Sequence, residues 1–288
     1  MAQMTWEQAV QWLRTQPDQQ ALVAACYFDD PLVDAADRFW RSAEWKAISA
    51  MLPMPGGRAL DLGAGRGISS YALARDGWRV TALEPDPSDL VGAGAIVALS
   101  KASGHPIEVV TEYSESLPFA DESFDVVNCR QVLHHARDLP QSLHEIFRVL
   151  KRGGTMISTR DHVLSRREDL QSFLDSHPLH KFYGGENAFL LEEYRDAITG
   201  SGLAIEKELG PFDSVINYFP LSETERFQYV TTPVARLIGK SLTAALFSQE
   251  HNLGKALFKR LLAEYNARTN APGRLYSFLA RRPQTGRV

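Results

Sequence analysis

The feature that most constrains the fold is a regular alternation of short apolar segments and helical segments that begins at Arg58. The apolar runs predict strands, and they lie at 58–62, 78–85, 107–112, 124–130 and 155–161. The intervening segments predict helices at 68–77, 88–103 and 139–154. Strands that alternate with helices at this spacing form a parallel sheet with right-handed crossovers. We therefore predict a doubly wound, mostly parallel α/β sheet.

Helical segments flank this pattern on both sides. Thr5 and Gln8 form a capping-box pattern, and residues 34–52 show helical spacing up to a Pro- and Gly-rich stretch. After the fifth strand we predict a helix at 190–203, strands at 204–212 and 274–283, and amphipathic helical runs at 233–247 and 252–266. The predicted organisation is an N-terminal helical cap at 1–55, a core at 56–213 and 273–288, and a helical insertion or lid at 214–272.

A glycine-rich turn follows the first predicted strand. It runs Asp61-Leu-Gly63-Ala64-Gly65-Arg-Gly and opens a helix, so its backbone can approach a ligand closely. Position 68 is Ile, whereas a dinucleotide fingerprint needs a third glycine there. No Gly-Lys-Ser/Thr ending follows, which excludes a phosphate-binding P-loop.

Glu84 ends the second predicted strand. Because the carboxyl ends of parallel strands meet at one edge of the sheet, Glu84 is expected beside the glycine-rich turn. A carboxylate in that place can accept hydrogen bonds from both hydroxyls of a ribose. The two features together predict a ligand site.

The chain resembles the class I S-adenosylmethionine-dependent methyltransferases, and within them the small-molecule branch that includes the ubiquinone-biosynthesis enzymes. The resemblance rests on DLGAGRG at 61–67, Glu84, LPFADESFDVV at 117–127, VLHHARD at 132–138 and EIFRVLKRGG at 145–154. It implies a Rossmann-like methyltransferase fold and S-adenosylmethionine as cofactor. The cap and the segments 162–188 and 214–272 carry no motif of the family.

The resemblance also implies which residues contact the cofactor. Asp61 would organise the turn and the methionine end, Glu84 would hold the ribose, and Pro85 would lie near the adenine. The family's adenine-side Asp is missing, and Tyr113-Ser114-Glu115 stands in its place. The full predicted cofactor set is Asp61, Gly63, Ala64, Gly65, Glu84, Pro85, Tyr113, Ser114, Glu115, Arg130 and Gln131.

Methyl transfer from a sulfonium depends on alignment more than on acid or base strength, but a base helps when the nucleophile is a hydroxyl or a protonated amine. The candidates near strand ends are His135, His162 and Asp161, with His134, His177 and His180 as further polar groups. His134 also suits a packed core position. His177 and His180, three positions apart, could bind a metal together with Asp161 or His162, but no recognised metal motif supports this and no metal is expected.

The charge of the chain is unevenly distributed. Residues 233–288 hold ten Lys or Arg residues and only two acids, so they carry a net charge of +8 and the rest of the chain −12. This basic quarter suits a solvated surface, an acidic acceptor or peripheral contact with a membrane. The overall charge of −4 argues against nucleic-acid binding, and two cysteines and no export signal suit the cytoplasm.

The predicted function is transfer of a methyl group to an O, N or C nucleophile of a small molecule, or of a glycan or lipid-linked acceptor. The alternative is a methyltransferase-like binding or scaffold protein without catalysis. Either a monomer or a homodimer fits the sequence.

Overall fold

The protein is described by a computed structural model that covers residues 4–177, 179–183, 185–268 and 271–284. Its strands are β1 Arg58–Leu62, β2 Arg79–Leu83, β3 Ile107–Val110, β4 Phe124–Arg130, β5 Leu150–Leu164, β6 Phe189–Leu190, β7 Ala204–Leu209 and β8 Gly273–Arg281. They form one sheet in the order β3-β2-β1-β4-β5-β8-β7, with β6 beside the end of β5. Strands β1 to β6 pair in parallel, and β8 runs antiparallel between β5 and β7. The predicted mostly parallel α/β sheet is confirmed.

Helices cover both faces of the sheet. Before β1 lie α1 Trp6–Thr15, α2 Gln20–Ala25, α3 Leu32–Arg41 and α4 Ala43–Ser49. The core helices are α5 Ile68–Arg75, α6 Ala93–Ser103, α7 Leu139–Val149, α8 Leu170–Ser176, α9 His180–Tyr183 and α10 Leu191–Gly200. Between β7 and β8 lie α11 Val215–Tyr218, α12 Glu223–Ile238, α13 Lys240–Leu246 and α14 Asn252–Asn266.

Several predicted elements have different bounds. The helix predicted at 34–52 is two helices, because the Ser42 backbone is extended and its hydroxyl accepts a hydrogen bond from Trp45 N at 3.0 Å, which starts α4. The run at 233–247 breaks at Gly239, which has a φ of +85°. The helix predicted at 139–154 ends at Val149, since Leu150 already pairs with Phe124 in the sheet. The capping box at Thr5 and Gln8 is confirmed.

The apolar core lies on both faces of the sheet. On one face α3 and α4 pack with α5 around the large buried side chains Phe39, Trp45 and Ile48. On the other face α7 and α10 pack against β4, β5 and β8. The insertion has a small core of its own, built around Val230 and Phe258. The division into cap, core and insertion agrees with this packing and stays a prediction.

An irregularity in β5 controls the direction of its last side chains. The pairing of β5 with β8 shifts register between Ser158 and Asp161, and Arg160 adopts a φ of +61°. Such bulges bend a strand and redirect its side chains, and they are common beside functional sites. Asp161 and His162 follow directly after this bulge.

Candidate functional site

One cavity of about 680 Å³ opens at the carboxyl ends of β1, β2, β4 and β5. Every residue predicted from the sequence to contact the cofactor lines it: Asp61, Gly63, Ala64, Gly65, Glu84, Pro85, Tyr113, Ser114, Glu115, Arg130 and Gln131. Of the predicted catalytic residues, His135 and His162 line it as well, and Asp161 does not. The structure therefore brings the predicted set together, and the role of each residue in binding stays a prediction.

The glycine-rich turn has the backbone that glycine favours. Gly63, Gly65 and Gly67 have φ values of +63°, +53° and +82°. A Cβ on Gly63 would lie 2.7 Å from the side chain of Val132, so the space there is already filled. A Cβ on Gly65 would meet nothing within 4 Å, so this glycine faces open space at the cavity. Gly65 is thus the position at which a ligand can approach the backbone closely.

The Glu84 carboxylate holds the glycine-rich turn together. One oxygen accepts a hydrogen bond from Gly65 N at 2.6 Å, and the other accepts one from Asp86 N at 3.0 Å. Glu84 is 8% exposed, and burial raises the pKa of its carboxyl despite these two bonds. The sequence interpretation, a free acceptor for two ribose hydroxyls, missed this structural role. Each oxygen keeps a further lone pair for a ligand.

Asp61 lies below the turn and is almost fully buried. Its carboxylate accepts hydrogen bonds from the Ser70 hydroxyl at 2.5 Å and from Asn128 Nδ2 at 2.7 Å. Burial outweighs these bonds and raises the pKa of Asp61 to about 6. Asp61 therefore links β1, α5 and β4 at the floor of the cavity.

The segment that replaces the family's adenine-side Asp has mixed roles. The Tyr113 ring is half exposed, and the Arg137 guanidinium lies 4.9 Å from its centre. The Glu115 carboxylate accepts hydrogen bonds from Arg137 N at 2.9 Å and Asp138 N at 3.3 Å, so it shapes the turn before α7. The Ser114 hydroxyl is 2.9 Å from that of Ser142. An aromatic face at Tyr113 remains available to a planar ligand.

Arg130 forms a buried ion pair that the sequence did not reveal. Its guanidinium donates to both carboxylate oxygens of Glu44 on α4, at 2.8 and 3.2 Å, and a third nitrogen donates to Gln131 at 3.0 Å. Glu44 is fully buried, and no local pattern in the sequence marked it. Arg130 still lines the cavity, but its charge is balanced by the cap rather than directed only at a ligand.

Arg66, inside the glycine-rich turn, also binds the cap. It is 7% exposed and donates to the carbonyl oxygens of Tyr27, Asp29 and Leu90 and to the Asp30 carboxylate. Sequence reasoning treated position 66 as a spacer in the motif. The only available signal was a charged side chain placed between two glycines.

The end of the cavity away from the glycine-rich turn is rich in imidazoles. It is lined by His134, His135, His162, His177 and Glu186. Asp161 lies behind His134, where its carboxylate oxygen is 3.0 Å from His134 Nδ1, so it positions that ring rather than facing the cavity. The direct catalytic role predicted for Asp161 is therefore replaced by a positioning role, because the side chain is fully buried.

The charges in this cluster are strongly coupled. Burial alone would lower the pKa of His134, but hydrogen bonding to Asp161 and the nearby Glu186 carboxylate raise it to about 9. Burial and the charge on His134 lower the pKa of His135 to about 4, and the same two causes lower the pKa of His162. His135 and His162 are therefore neutral at neutral pH, and His135, whose pKa is lowered less, is the stronger base of the two.

The insertion does not reach this cavity. None of the described residues that line it belongs to 214–272; the wall is completed by α1, α2 and the segment 177–186. The lid interpretation of the insertion is therefore not supported by the geometry. The cavity is instead covered by the cap and by the loop that follows α8.

Comparison with known proteins identifies the central part of the chain. Residues 60–158, from β1 into β5, match the family model described as a methyltransferase domain. Over these residues, about a third of the chain, it is similar to methyltransferase domains. The resemblance seen in the sequence is confirmed over this segment.

Relatives support the same assignment. A demethylmenaquinone methyltransferase from Clavibacter sepedonicus is 37% identical over 122 residues, which cover 42% of this chain and 46% of that protein. A ubiquinone biosynthesis O-methyltransferase from Rhizobium leguminosarum bv. trifolii is 27% identical over 183 residues, which cover 62% and 71%. The chain thus spans about half the length of the first of these relatives.

A solved structure shares the fold of the chain. Geranyl diphosphate C-methyltransferase from Streptomyces coelicolor A3(2), in complex with Mg²⁺, geranyl diphosphate and S-adenosyl-L-homocysteine, matches with a TM-score of 0.56. The identity is 14%, and the match covers 88% of this chain and 85% of that one. Within the described residues, no helix is both long enough and apolar enough to cross a membrane.

Proposed function

We propose that the protein transfers a methyl group from S-adenosylmethionine to a small-molecule acceptor. The observation that carries the proposal is the convergence of the whole predicted cofactor set on one cavity, with Gly65 facing open space and Glu84 at the end of β2. The methyltransferase domain match gives independent support. None of the comparisons favours the alternative of a scaffold without catalysis.

The acceptor end of the cavity favours a small, partly apolar or aromatic molecule. Trp6, Leu22, Phe28, Leu179 and Tyr183 contribute apolar and aromatic surface there. The imidazole cluster lies beside this wall and supplies the polar groups that fix orientation. A small acceptor with one hydroxyl near the imidazoles fits better than a glycan, which needs many polar partners.

The chemistry requires alignment and the removal of one proton. The acceptor oxygen forms a bond to the methyl carbon while the bond from that carbon to sulfur breaks, and S-adenosylhomocysteine leaves. The hydroxyl proton passes to the imidazole of His135, which is neutral and borders the cavity. His135 is held in place by its Nδ1, which is 2.9 Å from the Gly185 carbonyl oxygen.

Isothermal titration with S-adenosylhomocysteine, followed by turnover with isotope-labelled S-adenosylmethionine, tests the proposal. The acceptors are a panel of phenols, hydroxyquinones, carboxylic acids and amines, and mass spectrometry detects the labelled methyl group. We expect binding near micromolar affinity, about −8 kcal/mol, and transfer to at least one hydroxylated acceptor. Absence of cofactor binding would refute the proposal, and binding without transfer to any acceptor class would favour the scaffold alternative.

We further propose that the insertion contacts an anionic membrane surface. Leu237, Leu242 and Leu253, within the amphipathic runs predicted from the sequence, are 84%, 63% and 72% exposed on α12, α13 and α14. Lys240 and Lys255 are exposed beside them. Exposed leucines next to lysines suit the boundary between lipid headgroups and acyl chains.

Sedimentation with vesicles checks this contact. We expect binding to phosphatidylcholine vesicles that contain phosphatidylserine, weaker binding at high salt, and loss of binding in Leu237→Asp/Leu242→Asp. The matched control is Val97→Asp, because Val97 is 56% exposed on α6, outside the insertion. The exposed face is a homodimer contact instead if two results are found together: the wild type does not bind vesicles, and the double variant elutes from a size-exclusion column as a smaller species than the wild type. The cytoplasmic location of the protein stays a prediction.

A further inference from the structure

Three side chains from separate elements converge at the acceptor end of the cavity. His134 lies in the turn after β4, His162 lies on β5, and Glu186 precedes β6. Each offers one potential metal-ligand atom, and these atoms all lie within 4.8 Å of one another. His134 and the Glu186 side chain are 2% and 7% exposed, so the group is shielded from bulk water apart from the cavity.

The separations within this group fit ligands of a shared cation better than hydrogen bonds. Glu186 Oε2 is 3.6 Å from His134 Nε2; His135 Nε2, which is outside the group, lies 3.8 Å from the same oxygen. A hydrogen bond between nitrogen and oxygen spans about 2.7–3.2 Å. Metal bonds of about 2.0–2.1 Å in a tetrahedral site separate neighbouring ligand atoms by about 3.4 Å.

Buried acceptor and donor atoms in the group lack hydrogen-bond partners. Glu186 Oε2 and His177 Nδ1 are both buried and have no hydrogen-bond partner among the described residues. A buried carboxylate oxygen without a hydrogen bond is unfavourable by about 1–3 kcal/mol or more. His177 Nδ1 lies 3.8 Å from the other Glu186 oxygen and is outside the group of three. A cation bound within the group would satisfy Glu186 Oε2.

The residues behind the group support a metal ligand at His134. Asp161 Oδ1 lies 3.0 Å from His134 Nδ1 and also accepts from the His134 backbone N–H at 3.2 Å. The Ser158 hydroxyl donates to the other Asp161 oxygen. This arrangement holds a proton on Nδ1, so a metal ion would take the place of the Nε2 proton that faces Glu186. Metal-bound histidines are usually oriented by a carboxylate in this way.

We propose that His134, His162 and Glu186 bind a divalent first-row transition metal. Two imidazoles and one carboxylate favour Zn²⁺, Fe²⁺, Mn²⁺ or Co²⁺, whereas Mg²⁺ prefers oxygen ligands. The inference that this metal binds the methyl acceptor rests on the proposed methyl transfer. A hydroxyl oxygen of the acceptor bound to the metal loses its proton more readily, so the substrate class is a small molecule that binds metals through a hydroxyl and a neighbouring oxygen.

Metal binding is tested without any activity assay. The full chain is stripped with a chelator and titrated with Co²⁺, whose visible absorption reports tetrahedral or five-coordinate nitrogen and oxygen ligands, and with Zn²⁺ in calorimetry. We expect one equivalent to bind and the melting temperature to rise. His162→Asn and Glu186→Gln should lose more than about 100-fold in affinity, and Asp161→Asn about 10- to 100-fold.

The matched control is His144→Gln, because His144 is exposed on α7, away from the cavity. It should bind Co²⁺ as the wild type does. Circular dichroism of each variant checks that it is folded. If a ligand variant does not fold, the stoichiometry and the Co²⁺ spectrum of the wild type still decide the question.

The outcomes separate this proposal from the proposed function. The metal site is overturned if the protein binds S-adenosylhomocysteine but shows neither a Co²⁺ spectrum nor a calorimetric signal with Zn²⁺. His134 is then an imidazolium that neutralises the carboxylates of Asp161 and Glu186. Binding of Co²⁺ without binding of the cofactor supports the metal site and refutes methyl transfer. Equal Co²⁺ affinity in the wild type and in Glu186→Gln also overturns the assignment.

Discussion

Replacing Glu84 by Gln should weaken cofactor binding by removing charge-assisted hydrogen bonds to the ribose. The side chain is 8% exposed, so these bonds form largely out of water. A hydrogen bond to a charged group contributes about 1.5–3 kcal/mol, which corresponds to about 10- to 100-fold in affinity. The substitution also affects the turn, because the Gln amide NH₂ would face the N–H of Gly65 or of Asp86, both of which now donate to a carboxylate oxygen.

A cycle that combines the protein variant with a modified ligand separates these two effects. Calorimetry measures the affinity of wild type and Glu84→Gln for S-adenosylhomocysteine and for its 2′,3′-dideoxy analogue. Damage to the turn weakens the binding of both ligands equally. Contacts between Glu84 and the ribose hydroxyls appear only as a coupling free energy between the protein substitution and the removal of those hydroxyls. We expect a coupling free energy of about 1.5–3 kcal/mol.

The control variant for this cycle is Glu108→Gln, because Glu108 lies on the neighbouring strand β3 and does not line the cavity. It should give no coupling. A coupling below about 0.5 kcal/mol for Glu84→Gln would refute the ribose assignment and leave Glu84 as a residue that only shapes the turn.

Gly65→Val should abolish cofactor binding in calorimetry with a near-native circular dichroism spectrum, because it places a β-branched side chain at a φ of +53° in open cavity space; retained binding would exclude this turn as the cofactor site. The pKa of Asp61, 3.8 in the unfolded reference, is raised to about 6 in the folded protein, so the folded state keeps this proton to higher pH and its ionisation reduces stability. Urea titrations of the wild type and of Asp61→Asn measure this loss as the difference between their free energies of unfolding. The difference should fall by up to about 3 kcal/mol between about pH 4 and pH 7, and a difference that does not change with pH would contradict the raised pKa of Asp61. Glu44→Gln should lower the free energy of unfolding by about 3–5 kcal/mol, because the buried Arg130 charge loses its partner; a change under about 1 kcal/mol in urea titrations would show that the pair contributes little.

The sequence was informative wherever a signal was local. The period-two and helical patterns predicted β1 to β4 within a few residues, and the glycine-rich turn followed by Glu84 predicted the cavity at the ends of those strands. Helix ends were less predictable. Gly239 and Ser42 interrupt amphipathic patterns whose period continues across the break, so the apolar spacing alone suggests one helix.

Long-range polar contacts carried no such signal. Glu44 meets Arg130 across 86 positions of sequence, and His134 meets Glu186 only because the loop after α8 returns over the cavity. The residue type does not distinguish a buried charge from a surface charge. The sequence therefore indicated the histidines as separate catalytic candidates and not as one cluster. In the insertion, the helical runs were predicted, but periodicity indicates a common apolar face and not whether anything covers it.

The cap is part of the site because its polar contacts end on the residues that form the cavity. Arg66 lies within the glycine-rich turn and donates to Tyr27, Asp29 and Asp30, and Arg130 at the end of β4 is neutralised by a cap residue. Without the cap, Arg66 would lose Asp30 and Arg130 would lose Glu44. Tyr27, Asp29 and Asp30 directly follow α2, and α1 and α2 supply apolar side chains to the proposed acceptor wall. The proposed cofactor and acceptor ends are therefore held by one set of helices, and loosening the cap should weaken binding at both.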